Sequence, residues 1–570
     1  MTRRRRGLLI GMVAVFVVLL SACAGLPKTG EVKSGLVLDD VDLPPDISQI
    51  AAGPLEGASP EEIVEGFMDA ALTPADGWKT AREFLSPDLA QTWRPNAQVT
   101  VDSSAAAREF TADVTGGDDT AQEGDVRVLL EQTARVDESG AYTQLSGDTS
   151  VVSFEVAENE DGEWRITAAA DGVILDAEAF PQVYRSFALQ FYDQSWTHLI
   201  PDVRWYPRRG QIVTTLTQSL LSGAPSGWLA PAVRSAFPSD VALARDSVPV
   251  DTDKVATVEL TPAALTLDAT ALSRMRTQLE QTLRPAGVTE VELLVNGREL
   301  NAGRATVESP PAETGTVVLT ESEFGLYLGD EIAPYPGISE ELVELAPSVV
   351  SVDVAADETR AAVQLDDGGV YTVADGRVDQ LDTRAGLVEP SMDPYGYTWS
   401  VPSANPRALT AWESDVTPVS IANAFPDAAS VSHLRVAPDG VRLAAVASIG
   451  SQPWLVVAAI VRDQDHVPVE LGPVHTIARL DGVALGMSWV DENDLSVLME
   501  TDGSRVVLTQ DVGGMSSFAA APGAAISISG GNSASAVRIL NTDGVLFAQR
   551  GTTWQMGLTD VLVLGTRAGQ

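Results

Sequence analysis

The sequence predicts a multidomain chain: an α+β N-terminal domain, a small α/β domain, and a C-terminal all-β propeller of about five or six blades. Three observations predict it. Apolar residues at helical spacing from Ser59 onward give way to alternating strand patterns. Helices and strands then alternate over roughly 100 residues. Beyond Pro310 short strands and turn clusters recur every 35 to 55 residues or so, about the length of a four-stranded blade. With 570 residues and 45% apolar content, the chain can fill three or four separate cores.

Residues 1–22 have the form of a signal peptide. Arg3 to Arg6 make a basic start, and Leu8 to Leu20 follow without a charge. Thirteen residues at ~1.5 Å each span roughly 20 Å, short of the ~30 Å hydrocarbon core, so this is a cleaved targeting segment and not a membrane span. Leu20, Ser21 and Ala22 lead into Cys23, the single cysteine of the chain. Small residues before the thiol suit a peptidase that cleaves between Ala22 and Cys23. The block resembles the lipobox of bacterial lipoproteins, which implies an S-diacylglyceryl group on Cys23 and a further acyl chain on its new amino terminus. One chain holds a membrane only marginally; two hold it firmly. The expected location is the cell membrane, lipid-anchored on the extracytoplasmic face.

Charge narrows the partners. There are 79 acidic residues against 37 Lys plus Arg, a net charge of −42, and removing the signal takes away only cations. Nucleic acid and anionic lipid are therefore disfavoured as partners, and the body is repelled from the membrane that its lipid grips. With no cysteine after Cys23, stability must come from cores alone.

Residues 23–58 read as lipidated N-terminus and flexible tether, marked by the acidic, proline-bearing run Asp39 to Asp46. The first folded domain is placed at 59–195. Ser59, Pro60, Glu61 and Glu62 form a capping box with proline at the first helical position, followed by Ile63, Val64, Phe67, Met68, Ala71 and Leu72 on one face. A second helical stretch holds Ala81, Phe84 and Leu85 and stops at Pro87. Strands are expected at Val126 to Val136, at Ser150 to Val156 and at Trp164 to Ile166. The run Asp161, Gly162, Glu163, Trp164, Arg165, Ile166 resembles nuclear-transport-factor-like cones, in which an apolar pocket can take a ligand; plain core is the alternative for its aromatic residues.

The second domain is placed at 196–307. Leu199 to Tyr206 opens it, Val213, Leu216, Leu220 and Leu221 share a helical face ended by Gly223, and Val255 to Leu260 alternates as a strand. Leu272, Met275, Leu279 and Leu283 form a second stripe before Pro285, and Val291 to Val295 runs into the turn Asn296, Gly297. The order, with Phe237 and Pro238 before the middle strand, resembles the GerMN module of envelope and sporulation proteins.

Residues 308–315 form a Pro-rich linker across which few contacts are expected, and 316–570 form the propeller. Turn clusters fall at Ala356 to Glu358, Asp393 to Gly396, Ala437 to Gly440, Val490 to Asn493 and Ser529 to Gly531. Thr316 to Leu319 and Phe324 to Leu328 precede the first repeat, so pairing with the last strand, Val561 to Leu564, closes the ring. A jelly roll or paired sandwiches share the composition.

No residue pattern supports catalysis, a cofactor or a metal. The histidines His198, His433, His466 and His475 form no H-E-x-x-H, and loop positions account for His466 and His475. No P-loop or dinucleotide fingerprint is present. Gly486, Met487, Ser488 begins like a nucleophile elbow, but Val490 replaces its second glycine. The pairs Asp118, Asp119 and Asp366, Asp367 mark turns.

Three stretches together carry a family resemblance: Gly25 to Val32 after the lipobox, Gly53 to Phe67 at the entry to the first domain, and Pro201 to Trp205 followed by Leu220 to Gly223. They resemble the actinobacterial lipoprotein LpqB family. Lys28 and Glu31 depart from the small or uncharged residues that the first motif leads one to expect. The resemblance implies an accessory protein that binds the extracytoplasmic domain of the sensor histidine kinase MtrB and adjusts phosphorylation of MtrA, with effects on envelope homeostasis and cell division. The rival class is a lipoprotein binding cell-wall glycan or a small ligand, with the propeller or the GerMN domain as receptor; its discriminating feature would be an aromatic platform on one propeller face, for which Trp399, Trp412, Trp454, Trp489 and Trp554 are available.

Overall fold

The computed structural model describes residues 51–570 apart from 116–121, 209, 309–314, 330, 415, 532, 534–535, 552 and 569–570. The helix Pro60–Ala70 begins as its sequence dictates. Ser59 Oγ accepts from the Glu62 N–H at 3.2 Å and Glu62 Oε2 accepts from the Ser59 N–H at 2.7 Å. The helix buries Ile63, Val64, Phe67 and Met68, and Phe67 meets Trp93 and Phe154 edge to face. Pro87 does not merely stop the preceding helix, Lys79–Arg82. It opens another, Pro87–Thr92, where a proline costs no hydrogen bond and Ser86 supplies the cap.

These helices lie against a six-stranded sheet ordered Trp164–Ala168, Tyr142–Glu158, Glu123–Asp137, Gln98–Asp102, Val173–Asp176. Glu109–Thr115 pairs with the other half of Glu123–Asp137. Val126, Val128, Leu130, Ala134 and Val136 of the long strand all point into the core. The final strand joins parallel to Gln98–Asp102.

The boundary after this domain needs correction. Tyr184–Asp193, placed by the sequence in the first domain, pairs along its whole length with Leu199–Pro207 and then with Val233–Arg234. It therefore belongs to the second domain. The loop between the paired strands has neither glycine nor proline, and Trp196 takes the left-handed conformation itself with φ 67°, so the hairpin carried no turn signal. A second, three-stranded sheet pairs Val255–Glu259 parallel to Glu290–Val295, with the helix Ala269–Leu283 crossing between them and Arg298–Glu299 at the edge.

The third region is a six-bladed propeller. Its blades are 316–333 with 561–564, then 349–382, 391–420, 428–479, 483–520 and 525–556. Val349–Val354, Ser391–Met392, Ala428–Val436, Val483–Trp489, Ala525–Ser529 and Val561–Leu564 are the innermost strands, each touching the next until the ring closes. Thr316–Thr320 pairs antiparallel with Val561–Leu564, so both ends of the region share one blade. All five turn clusters found in the sequence lie where an innermost strand turns outward. Buried polar side chains latch successive blades there. Asp353 accepts from the Met392 N–H at 2.7 Å, Ser391 Oγ from the Val436 N–H at 3.1 Å, and Ser488 Oγ from the Gly530 N–H at 2.8 Å. At Gly530 a Cβ would lie 1.7 Å from the Trp489 carbonyl oxygen, so only glycine permits that approach.

Residues 51–570 form one compact unit. The expectation that few contacts cross the linker is overturned, because Val441 and Ala459 of the propeller lie in the same buried cluster as Phe191, Leu216 and Leu279 of the middle domain.

Candidate functional site

Ala22 and Cys23, with the signal segment and the tether up to Ile50, lie outside the described residues. So does the pair Asp118, Asp119. The remaining chemically competent side chains are scattered and committed to structure. Ser488 is buried, accepts from Gly530 and donates to the Trp489 carbonyl. Asp367 ties its own turn by accepting from the Gly369 N–H and the Tyr371 hydroxyl, with Asp366 beside it. Among the described residues no group of three or more His, Cys, Asp or Glu is arranged to hold a metal ion.

The four histidines are not brought together. His466 sits in a turn at φ 63° and stacks on Tyr395 at 4.9 Å. His475 is no loop residue: it begins the strand His475–Arg479 and stacks at 6.0 Å on Trp228 of the middle domain, where burial lowers its pKa. Burial does the same to His433.

The tryptophans do not form an open platform. Trp399 and Trp489 are buried, with their indole N–H groups donating to Asp393 and to the Arg435 carbonyl. Trp412 donates to Ser400 and Trp554 to the Ala520 carbonyl; these two and Trp454 are half-buried with packed edges. Sequence could place five aromatic residues in the propeller but not say which way they face.

What the fold does assemble is a polar seam between the middle domain and the propeller. Arg442, 1% exposed, donates to Asp439 at 2.7 Å and to the Glu492 carbonyl, and lies 5.0 Å over the Trp489 ring. Arg462 donates to the fully buried Asp393 at 2.6 Å and covers Tyr395 at 4.3 Å. Opposite Asp439 stands His198. Its ring Nδ1 is 3.8 Å from Asp193 and its Nε2 is 3.8 Å from Glu308. The Asp193 carboxylate beside the ring raises the His198 pKa against the opposing effect of burial, and Asp439 and Glu308 add to it. Burial alone would raise Asp193, but hydrogen bonds from His198, Ser195 and the His198 and Thr197 backbone hold it well below the usual carboxylate range. His198, Glu308, Asp439, Arg442 and Glu492 surround an interdomain cavity of about 140 Å³ with Arg284, Gln190 and Gln281. The seam can fix the relative pose of two domains. Its hydroxyl-to-imidazole contact, Thr197 Oγ1 with His198 Nδ1 at 3.0 Å, is made inside the turn 193–198, where the Thr197 hydroxyl is also bonded to Asp193 at 3.1 Å. Sequence analysis missed the seam because its members come from positions 190 to 492, and the one available signal was the repeated turn aspartate of Asp393, Asp439 and Asp491.

Family profiles agree with this layout. A family profile described as the N-terminal domain of lipoprotein LpqB matches residues 53–181, one described as the lipoprotein LpqB beta-propeller domain matches 324–561, and the Germane profile, described as sporulation and spore germination, matches 188–301. A protein named lipoprotein LpqB from Streptomyces avermitilis is 27% identical over 97% of this chain and 97% of its own length. Its namesake from Streptomyces coelicolor is 29% identical over 92% of this chain and 91% of its own. A solved nidogen/laminin complex aligns over 45% of this chain and 98% of that one, at 8% identity and a TM-score of 0.33.

Proposed function

The chain belongs to the LpqB lipoprotein family, and from that premise we propose that it is a lipid-anchored, extracytoplasmic accessory protein that acts by contact with a partner in the same membrane and performs no chemistry. Cys23 is the anchoring residue, carrying the S-diacylglyceryl group and an N-acyl chain after cleavage behind Ala22. The partner is the outer domain of the sensor histidine kinase MtrB, and the consequence is altered MtrA phosphorylation, with effects on envelope homeostasis and cell division.

One observation carries the non-catalytic reading: Ser488, the seam carboxylates and the histidines are each taken up in packing or in hydrogen bonds that hold the fold. A body whose domains share a core presents a fixed surface, and a shared bilayer raises the effective concentration of both proteins, so a weak interface suffices.

The test measures MtrA phosphorylation in cells carrying wild-type, Cys23→Ser or deleted forms, beside binding of the soluble chain to the kinase's outer domain. Release by Cys23→Ser should change kinase output as deletion does, even when the soluble form is abundant. Unchanged phosphorylation on deletion, with no binding at high micromolar concentration, rejects the proposal. Mass spectrometry of the mature amino terminus tests the anchor separately.

A further inference from the structure

We propose that the middle domain holds a binding site for a small hydroxylated anion, of the class of sugar phosphates and sugar acids, between the loop 194–198 and the first turn of the helix Ala269–Leu283. The site is a cavity of about 340 Å³ walled by Trp196, Thr270, Ser273, Arg274 and Thr306, with alanines between them. That volume is in the range of small-molecule sites.

Charge is the first reason. The Arg274 guanidinium lies 4.3 Å over the Trp196 ring and that of Arg234 5.2 Å over the same ring. Among the described residues neither has a carboxylate within 4.0 Å, in a chain with 79 acids to 37 Lys plus Arg. Arg234 donates to the neutral Gln194 side chain, and its Nε is buried without an acceptor. A guanidinium over an indole face keeps its N–H donors available to an oxyanion, and of the two arginines it is Arg274 that lines the cavity. The helix end adds partial positive charge, although Asp268 caps the Ala271 N–H there.

The hydroxyls are the second reason. Thr270 and Thr306 are exposed at the rim. Ser273 Oγ donates back to the Ala269 carbonyl at 2.7 Å, which leaves its lone pairs as acceptors for a ligand O–H. The third is the wall itself. Trp196 adopts a φ of 67° that side chains rarely take, and the loop is clamped in that shape by Asp193, whose Oδ1 accepts from the Thr197 N–H at 2.8 Å and the His198 N–H at 3.0 Å. Such a conformation at a large aromatic residue, supported from behind by a buried carboxylate, marks a placed ring.

The mature chain carrying Cys23→Ser is titrated calorimetrically with glucose 6-phosphate, glucuronate, glucose and inorganic phosphate. One of the two charged sugars should bind and uncharged glucose should not; which of the two binds identifies the oxyanion as phosphate or carboxylate. Arg274→Gln should weaken binding about tenfold or more. Ala269→Trp, at the exposed start of the helix, should abolish binding by filling the cavity, while Arg377→Gln on the propeller should leave it unchanged. Three results would each overturn the site: no binding of either charged sugar up to about 10 mM, binding indifferent to Arg274→Gln and Ala269→Trp, or inorganic phosphate bound as tightly as glucose 6-phosphate.

Discussion

The indole N–H of Trp205 donates to the carbonyl of Gly513 at 2.9 Å, across 308 positions of sequence. Trp205 is on a strand of the middle domain, but its ring packs in the core of the first domain, 4.7 Å from Phe180 and 6.0 Å from Tyr142. Met515, two residues beyond Gly513, packs on the same cluster. One side chain thus pins three domains. Trp205→Phe keeps most of the packing and loses the hydrogen bond, a cost of about 1 kcal/mol. Trp205→Ala should cost about 3–5 kcal/mol. Calorimetry should show one cooperative transition for the wild type and a lower, broadened or split one for Trp205→Ala.

The shared core makes a further prediction about truncation. A chain of 316–570 exposes Val441 and Ala459, which are 4% and 0% exposed in the whole protein, and strips Trp228 from His475. It should melt at least about 4 °C below the single transition of the full chain and aggregate more readily. Equal melting temperatures would show that the interface contributes nothing to propeller stability.

Legibility in the sequence followed local chemistry. The capping box at Ser59, the stripe Leu272, Met275, Leu279, Leu283 and the closing strand Val561–Leu564 were all readable, because spacing alone determines which face is buried. Gly223 was readable as a helix end, though for another reason than conformation: its φ is −92°, and a Cβ there would meet the Ser219 carbonyl oxygen at 2.1 Å. The hairpin Tyr184–Asp193 was not readable, since its turn uses Trp196. Nor was the seam, because bringing His198 and Asp439 to one cavity depends on how two domains dock, and no local period encodes that. The cavity beside Trp196 has the same origin: Arg234 and Arg274 meet only in the folded domain.

Asp393 tests the propeller's turns. It is fully buried, accepts from Arg462 at 2.6 Å and from the Trp399 indole at 2.9 Å, and caps the Tyr397 N–H at 2.8 Å. Asp393→Ala leaves the Arg462 charge buried without its partner, which should cost about 3–5 kcal/mol. Asp367→Ala removes a comparable turn contact from an exposed position and should cost well under 1 kcal/mol. Denaturant unfolding of the two variants compares them directly.

The last prediction concerns pH. Asp494 and Asp511 face each other across paired strands next to the Gly513 turn. Burial, with Asp491 nearby, pushes Asp494 up from 3.8 to about 6, and burial with the charges of Asp494 and Asp491 pushes Asp511 up to about 7. Above pH 3.8 the unfolded chain has lost both protons, while the folded chain holds them until these higher values. Unfolding therefore releases protons across this interval, and stability must fall as pH rises from about 4 to about 7. His198 acts in the same direction at higher pH: its raised pKa gives stability that is present below 6.5 and lost as pH rises through the folded value. Asp193 acts oppositely, since its depressed pKa gives stability that is lost only as pH falls below 3.8. The melting temperature should thus be highest in mild acid and drop by a few degrees toward neutrality. Asp511→Asn, which places a neutral amide in the same space, should flatten that drop and raise the melting temperature at pH 8, with little change at pH 5. A variant with the same slope as wild type between these pH values would remove this pair as the cause.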